Sequence, residues 1–278
     1  RIAMELWLPT DTWNGKFLAV GNGGWAGSVQ TGAMAAGLRR GYATATNDTG
    51  HTGGSASFAV GHPEKLIDFA YRAMHEMTVQ SKAMIQAFYR RAPRLSYYQG
   101  CSTGGRQGMM EAQRYPEDFD AIIAGAPVYN MVHMNVSQVA LQVDMLRNPS
   151  RLVSPAQVKK FAETVVPACD QRDGVKDGIV SEPRACKVDP AVLACKAGET
   201  GDCLTAPQVE NARSAWAPAT VKGRVVYPGR SPGFEGEWRI PAAGAPLNPL
   251  FTDMVRYVGR QDPNFDPMTF DFEADLAR

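Results

Sequence analysis

The sequence predicts an α/β protein, in which a sheet of parallel strands carries helices on its faces. Over the first 130 residues, strand-like and helix-like segments alternate, and most of the strand-like runs end at a proline, a glycine or a turn sequence. Parallel strands need long crossover connections, which are usually helices, so this alternation is typical of a parallel sheet. From residue 131 helical stretches give way to cysteine-rich and Gly/Pro-rich loops. We therefore predict two domains, residues 1–130 and residues 131–278.

The elements follow from hydrophobic spacing. Strands are predicted at residues 2–8, 16–20, 41–46, 95–99 and 121–124. Apolar side chains recur at helical spacing over residues 65–89, and Pro93 lies just beyond this segment, so it is predicted to be a helix. Further helices are predicted at residues 104–115, 136–146 and 156–166.

Composition excludes several classes of function. The chain has 278 residues, 29 basic and 28 acidic side chains, and an apolar fraction of 44%. This near-neutral balance offers no basic surface for nucleic acid, and the apolar fraction argues against disorder. The longest uncharged run, residues 121–143, is interrupted by proline and polar residues and predicts no membrane span. We expect neither nucleic-acid nor membrane partners, and the oligomeric state stays open.

Cysteine usage indicates an oxidising compartment. Four of the five cysteines lie within 35 residues, in a segment with few large apolar side chains. Two disulfides are therefore predicted, and of the three possible pairings we favour Cys169–Cys186 with Cys195–Cys203, which closes short loops. A metal site is less favoured, because no histidine and no C-x2-C pair occurs among them. The expected location is secreted or periplasmic, and Cys101 is left with its partner missing.

The most informative motif is G-x-S-x-G at residues 100–104, between a predicted strand and a predicted helix. That context predicts the sharp turn of a nucleophile elbow, with Ser102 lifted above the sheet and helix N–H groups facing a developing oxyanion. A chance Gly/Ser loop is the weaker alternative.

A second glycine cluster, residues 21–27, follows an early strand. In α/β hydrolases this loop supplies the other oxyanion donor. A mobile surface loop is the alternative; a phosphate loop is disfavoured because the required Lys-Ser/Thr is absent. Three of the four histidines precede Ser102, against the usual chain order, and His133 follows it too soon. No general base is therefore evident.

Six segments together resemble the tannase/feruloyl esterase family, which includes mono-hydroxyethyl-terephthalate hydrolase. They are WNGKF at 13–17, GNGG at 21–24, NDTGH at 47–51, HPEK at 62–65, GCSTGGRQ at 100–107 and GAP at 125–127. The resemblance implies an α/β-hydrolase sheet with an inserted lid, and cleavage of small esters of aromatic acids such as gallate, hydroxycinnamate or terephthalate. On this basis residues 1–130 are the N-terminal part of the catalytic domain and residues 131–278 are the lid.

The resemblance also assigns the catalytic residues. It implies that Ser102 is the nucleophile and that the N–H groups of Thr103 and Gly24 (or Gly23) form the oxyanion hole. In the family, the cysteine before the nucleophile pairs with one that follows the catalytic histidine. The acid and this His-Cys pair have no counterpart here, so we expect that the chain stops inside or just after the lid. By itself it is then expected to be an impaired esterase.

An acidic loop at residues 170–179 resembles a calcium-binding loop only in part. The residues alone favour an ordinary Asp-Gly turn pair. The family resemblance implies a structural Ca²⁺ in the lid, bound by the side chains of Asp170, Asp173 and Asp177 and the carbonyls of Val175 and Ile179.

Two other functions remain open. Cys101 is a candidate nucleophile in a thiol-dependent hydrolase, although the motif register favours Ser102. The chain is alternatively a non-catalytic, secreted, calcium-dependent binding module on the same fold, since an acid and a base are missing.

Substrate contacts are not assigned by the sequence. Aromatic and basic side chains of the lid are weak candidates, because lid-core and surface roles are more common for them: Trp216, Phe234, Trp238, Phe251, Tyr257, Arg230, Arg239 and Arg256.

Overall fold

The computed structural model describes residues 1–235 and 247–278 and divides into two compact units. The first unit comprises residues 1–131 and 253–264, and the second comprises residues 132–252 and 265–278. Segment 253–264, which lies inside the predicted second domain, therefore belongs to the first unit.

A five-stranded sheet forms the centre of the first unit. Its strands are β1 (Met4–Trp7), β2 (Lys16–Val20), β3 (Ala43–Asn47), β4 (Leu95–Cys101) and β5 (Ala121–Gly125), in the order β1-β3-β2-β4-β5. All five predicted strands are present, and the predicted α/β class is confirmed.

The sheet is mixed rather than wholly parallel. Strands β2 to β5 pair in parallel, but β1 runs antiparallel to β3, with Met4 opposite Asn47. The connection from β1 to β2 spans only residues 8–15, whereas a parallel crossover needs about a dozen residues or more. The purely parallel prediction is thus wrong at this edge strand.

Four helices flank this sheet: α1 (Thr31–Leu38), α2 (Pro63–Ile67), α3 (Ala73–Tyr89) and α4 (Thr103–Arg114). The helix predicted over residues 65–89 is present as an unbroken helical segment. Its middle turn, Asp68–Arg72, is a wider π-helical turn that joins α2 to α3. Asp68 is buried in this turn and pairs with Arg72.

The core of the first unit lies on both faces of the sheet. Because side chains alternate along a strand, β2 sends Phe17 to one face and Leu18 to the other. Phe17 belongs to a buried cluster with Met74 and Met77 of α3, whereas Leu18 packs with Met34 of α1. Helices therefore cover both faces, as the alternating sequence predicts.

The second unit is mainly helical, with one short hairpin. Its elements are α5 (Met131–Arg147, whose first residue ends the first unit), α6 (Pro155–Cys169), α7 (Ala206–Trp216), β6 (Ala219–Val221), β7 (Arg224–Tyr227), α8 (Pro249–Asp253, whose last residue begins the returning segment) and α9 (Phe272–Leu276). Helix α6 begins with a capping box between Ser154 and Gln157. Within the described residues, no helix is both long and apolar enough to cross a bilayer.

Two disulfides lie in the second unit, Cys169–Cys186 and Cys195–Cys203, which is the pairing favoured from the sequence. The first disulfide is buried in a small core with Phe161, Val165 and Ala212. A core of this size stabilises a unit only modestly, so the covalent link contributes a large share.

Replacing Cys169 and Cys186 together by alanine is expected to destabilise the second unit by about 3 kcal/mol, since the 17-residue separation restricts the unfolded chain and the site is buried. Limited proteolysis with mass spectrometry would locate the new cleavage sites in this unit. The matched Cys195→Ala, Cys203→Ala variant opens a loop of separation 8 that is only half-buried, and a smaller effect is expected. Equal protease resistance of all three proteins would contradict the prediction.

Candidate active site

Ser102 lies at the sharp turn between β4 and α4, where it is the N-cap of the helix. Its backbone angles are φ +59° and ψ −118°, a conformation that costs a non-glycine residue about 1–3 kcal/mol. Three hydrogen bonds fix this turn: Ser102 N–H donates to Gly125 O (3.0 Å), and the N–H groups of Arg106 (3.0 Å) and Val128 (3.3 Å) donate to Ser102 O. The side chain is exposed. The strained geometry predicted for a nucleophile elbow is therefore present.

The glycines around Ser102 allow its neighbours to approach closely. A Cβ on Gly100 would lie 2.6 Å from the carbonyl carbon of Gly104, and one on Gly105 would lie 2.3 Å from Gly125 O. Both distances are impossible for a real side chain, so the turn can close only with glycine at these positions.

The glycine-rich loop of residues 21–27 packs directly on the N-terminus of α4. Gly21 N–H donates to Gln99 O of β4 (2.9 Å), and a Cβ on Gly104 would lie 2.9 Å from Asn22 O. Asn22 also exchanges two hydrogen bonds with the Gln107 side chain, at 3.0 and 3.1 Å. The loop and the helix therefore form one rigid structure.

The structure brings Thr103 and Gly24 together, as the proposed oxyanion hole requires. The Thr103 hydroxyl donates to Gly24 O at 2.9 Å, and Thr103 is buried. Within the described residues, the backbone N–H groups of Thr103 and Gly24 have no acceptor. The Thr103 N–H is also in the first turn of α4, where the helix dipole favours negative charge.

His51 contacts the backbone of the glycine-rich loop through its side chain. Its Nε2 contacts Trp25 O at 2.9 Å, its Nδ1 contacts the Thr49 hydroxyl at 3.1 Å, and its ring stacks on Phe58. A Cβ on Gly27 would lie 2.4 Å from His51 O. One ring nitrogen thus holds the loop and the other contacts Thr49 of the adjoining turn, a role that the sequence did not reveal.

Asn47 and Asp48, which belong with His51 to the NDTGH motif at residues 47–51, also form hydrogen bonds to the backbone. The Asn47 side chain accepts from Thr49 N–H and donates to Ala73 O, which links the motif to α3. Asp48 accepts from the N–H groups of Ala3 and Gly50. The NDTGH motif therefore positions the site rather than reacting in it.

The other three histidines have different settings. His62 is exposed before α2, His75 pairs with Asp118, and His133 lies in α5 of the second unit. In the part of the chain that the structure describes, no histidine hydrogen-bonds to Ser102.

Cys101 is the last residue of β4, where its register partner on β5 is Gly125. Its thiol is free and exposed.

The acidic loop at residues 170–179 contains carboxylate and carbonyl oxygen atoms of the kind that bind Ca²⁺. Buried Asp170 accepts from the N–H groups of Asp177 and Gly178, at 3.1 and 3.0 Å, so its carboxylate lies inside the loop. Asp173 and Asp177 are exposed and accept from the N–H groups two residues ahead of each. Hydrogen bonds from the Ser181 hydroxyl and from Val175 N–H hold the pKa of Asp173 below its usual value.

These three carboxylates fit a hard cation by chemistry but are not gathered around one point. Among residues 1–235 and 247–278, the one group of three or more metal-ligating side chains whose atoms lie within 4.8 Å of one another is elsewhere, in the first unit. A cation in the loop would therefore draw Asp173 and Asp177 away from their backbone hydrogen bonds.

The side chains that the sequence offers as weak candidates for substrate contacts have varied settings, and two of them, Arg256 and Tyr257, lie in the first unit. Trp216 stacks on Phe161 and donates to Glu235, which makes it part of the core of the second unit. Arg230 is held by Gln138. Phe234 is exposed, and Arg256 lies over the Tyr257 ring. Phe251 is half-buried, whereas Trp238 and Arg239 lie outside the described residues.

Comparisons with known proteins agree on one family. The family model described as tannase and feruloyl esterase matches residues 1–276. An uncharacterized esterase of Xanthomonas campestris is 37% identical over all of this chain and 51% of its own length. A probable feruloyl esterase B-2 of Aspergillus terreus is 39% identical over 98% of this chain and 52% of its own length.

Solved structures lead to the same result. Feruloyl esterase B from Aspergillus oryzae superposes with a TM-score of 0.93 at 33% identity, over 99% of this chain and 56% of that one. Tannin acyl hydrolase from Aspergillus niger, at 23% identity, a TM-score of 0.83 and coverage of 99% and 56%, shares the fold. The chain spans about half the length of the curated relatives it matches. By its family model and by these relatives, the chain belongs to the tannase and feruloyl esterase family.

Proposed function

We propose that this chain carries the nucleophile and the lid of a serine carboxylesterase that hydrolyses esters of aromatic acids. The observation that carries the proposal is the conformation of Ser102, whose strained turn presents an exposed hydroxyl at the N-terminus of α4. In such an enzyme the serine oxygen attacks the ester carbonyl, an acyl-enzyme forms, and water then releases the acid.

The N–H groups of Thr103 and Gly24 are proposed to stabilise the tetrahedral intermediate. Their lack of acceptors and the contact between the two residues support this role. Donors that are already oriented toward the developing negative charge need no rearrangement during the reaction, and removing one typically costs about 10²–10³ in rate.

The acid and the base are proposed to come from polypeptide that follows residue 278 in a longer protein. Two observations support this: no histidine in the described residues bonds to Ser102, and the relatives are about twice as long. Under this proposal Cys101, next to the nucleophile, forms a disulfide with that later segment. The isolated chain is then expected to be an impaired esterase.

The substrate class is proposed from the names of the relatives, which are feruloyl esterases and a tannin acyl hydrolase. Small feruloyl, galloyl or terephthalate-type esters are the candidates. We assign the first unit to the catalytic domain and the second to the lid. Two disulfides favour a secreted or periplasmic location.

Ser102→Ala in the longer protein is expected to lower kcat/KM for methyl ferulate and methyl gallate by about 10⁴ or more, because the nucleophile is removed. A fluorophosphonate probe should label the unsubstituted protein and not the variant. Ser57→Ala, which alters an exposed serine of the same unit, is the matched control and should keep its activity and labelling.

The same experiment separates the competing functions. If Cys101→Ser abolishes labelling while Ser102→Ala keeps it, the thiol-hydrolase interpretation replaces ours. Binding of an aromatic ester to the longer protein, without turnover or labelling, would instead support a non-catalytic, calcium-dependent binding module.

We also propose a structural Ca²⁺ in the lid, held by the side chains of Asp170, Asp173 and Asp177 and by the carbonyls of Val175 and Ile179. The loop supports this with oxygen donors and with a central carboxylate that already closes the turn. Its role is to stabilise a unit whose core is small.

Calcium is expected to raise the Tm of the second unit, by an amount equivalent to about 2.7 kcal/mol at 100 times the Kd. Asp173→Asn and Asp177→Asn should each reduce this shift, because Ca²⁺ prefers charged oxygen ligands. Asp202→Asn removes an exposed carboxylate elsewhere in the unit and should leave the shift unchanged. Differential scanning calorimetry with and without a chelator would test this, and a Tm insensitive to Ca²⁺ would refute the assignment.

A further inference from the structure

Three potential metal ligands meet in the first unit, at the end of α4 remote in sequence from Ser102. His75 lies in α3, Glu111 lies in the last turn of α4, and Asp118 lies in the turn that leads to β5. One ligand atom from each is within 4.8 Å of the other two, and His75 Nδ1 is 2.7 Å from Asp118 Oδ2. Three separate segments of the chain therefore contribute to one cluster.

Glu111 is the unusual member of this cluster. Its relative exposure is 0%, and neither carboxylate oxygen has a hydrogen-bond partner among the described residues. A buried polar group without a partner loses its hydration and gains nothing in return, and this loss is larger still for a charged group. Burial, and after it the Asp118 carboxylate, raises the pKa of Glu111 to about 8.

The basic side chain that faces these carboxylates is His75, which pairs with Asp118. Within the described part of the chain, no lysine or arginine forms an ion pair with Glu111 or Asp118. Lys82 is near, but its ammonium group donates to the backbone carbonyls of Asp118 and Glu117. The cluster therefore offers ligand atoms that no lysine or arginine of the described residues occupies.

We propose that His75, Glu111 and Asp118 bind a divalent transition-metal ion, for which Zn²⁺ is the best-fitting probe. One imidazole with two carboxylates suits Zn²⁺, whereas Ca²⁺ and Mg²⁺ favour oxygen ligands alone. The site therefore differs in chemistry from the acidic loop of the second unit.

The distance between His75 and Asp118 needs little adjustment to hold this ion, and the Glu111 oxygen lies within 4.8 Å of both. With metal–ligand bonds of about 2.1 Å, neighbouring ligand atoms lie about 3.0 Å apart in octahedral and about 3.4 Å apart in tetrahedral coordination. The 2.7 Å between His75 Nδ1 and Asp118 Oδ2 would open by about 0.3–0.7 Å as the metal takes the place of their shared proton. The His75 side chain is 26% exposed, which leaves an access path.

Packing around His75 holds its imidazole ring in one orientation, as a metal ligand requires. Its ring stacks on Tyr115, with 3.8 Å between the ring centroids and 11° between the planes. The stacking fixes the ring orientation that directs Nδ1 toward Asp118. A metal here would join α3, the C-terminal end of α4 and the turn before β5, so its role is structural.

The test uses the 278-residue chain purified without a metal-affinity tag, stripped with a chelator, and titrated with Zn²⁺ against a chromophoric competitor in excess Ca²⁺. One Zn²⁺ per chain is expected. Glu111→Gln, which preserves side-chain volume, and His75→Phe, which preserves the stacking, should each weaken binding at least tenfold. His62→Gln removes an exposed histidine of the same unit and should bind as the unsubstituted chain does.

X-ray absorption at the zinc edge of the unsubstituted chain gives a readout that does not depend on the folding of any variant. A shell of nitrogen and oxygen with a single imidazole is expected. A sulfur ligand, which would point to Cys101, or two or more imidazoles would overturn the proposal. Absence of stoichiometric binding, or unchanged affinity in both folded variants, would equally overturn it and would leave a shared proton between Glu111 and Asp118.

Discussion

The first unit is organised around one constraint, the left-handed backbone of Ser102. A residue with a side chain adopts φ +59° only when its surroundings leave no alternative. Here the N–H and C=O of Ser102 are both bonded, and Gly100 and Gly105 remove the atoms that would force the turn open. The strain is thus sustained by packing on either side of the turn, and the exposed hydroxyl is its consequence.

The glycine-rich loop extends the same constraint to the rest of the unit. Because Gly104 touches Asn22 O, any shift of the loop would move the first turn of α4, and the reverse also holds. His51 contacts Trp25 O of this loop, and Asn47 O accepts from the Asn22 side chain. Asp48 holds the adjoining turn, because it accepts from Gly50 N–H. These polar residues look like candidate catalysts in a sequence, yet their contacts show that they hold backbone in place.

Local signals made the elbow predictable. Strand β4, the glycines at 100 and 104, and helix α4 are neighbours in the chain, and so the turn follows from the sequence alone. Tertiary relationships were not predictable in this way. Nothing local shows that segment 253–264 belongs to the first unit, where Asp253 accepts from Ser55 and Ala56. Nor does any local pattern show that β1 joins the sheet antiparallel to β3.

Glu111 is the clearest example of a residue whose setting cannot be predicted from local sequence. In the sequence it is one charged residue of an amphipathic helix, a class that is normally solvated. In the structure it is completely buried, beside Asp118 and His75, which are 7 and 36 residues away in the chain. Helix α4 therefore carries two features that differ in how far the sequence predicts them. Neighbouring residues encode the elbow at its N-terminus, whereas the setting of Glu111 near its C-terminus depends on α3 and on the turn before β5.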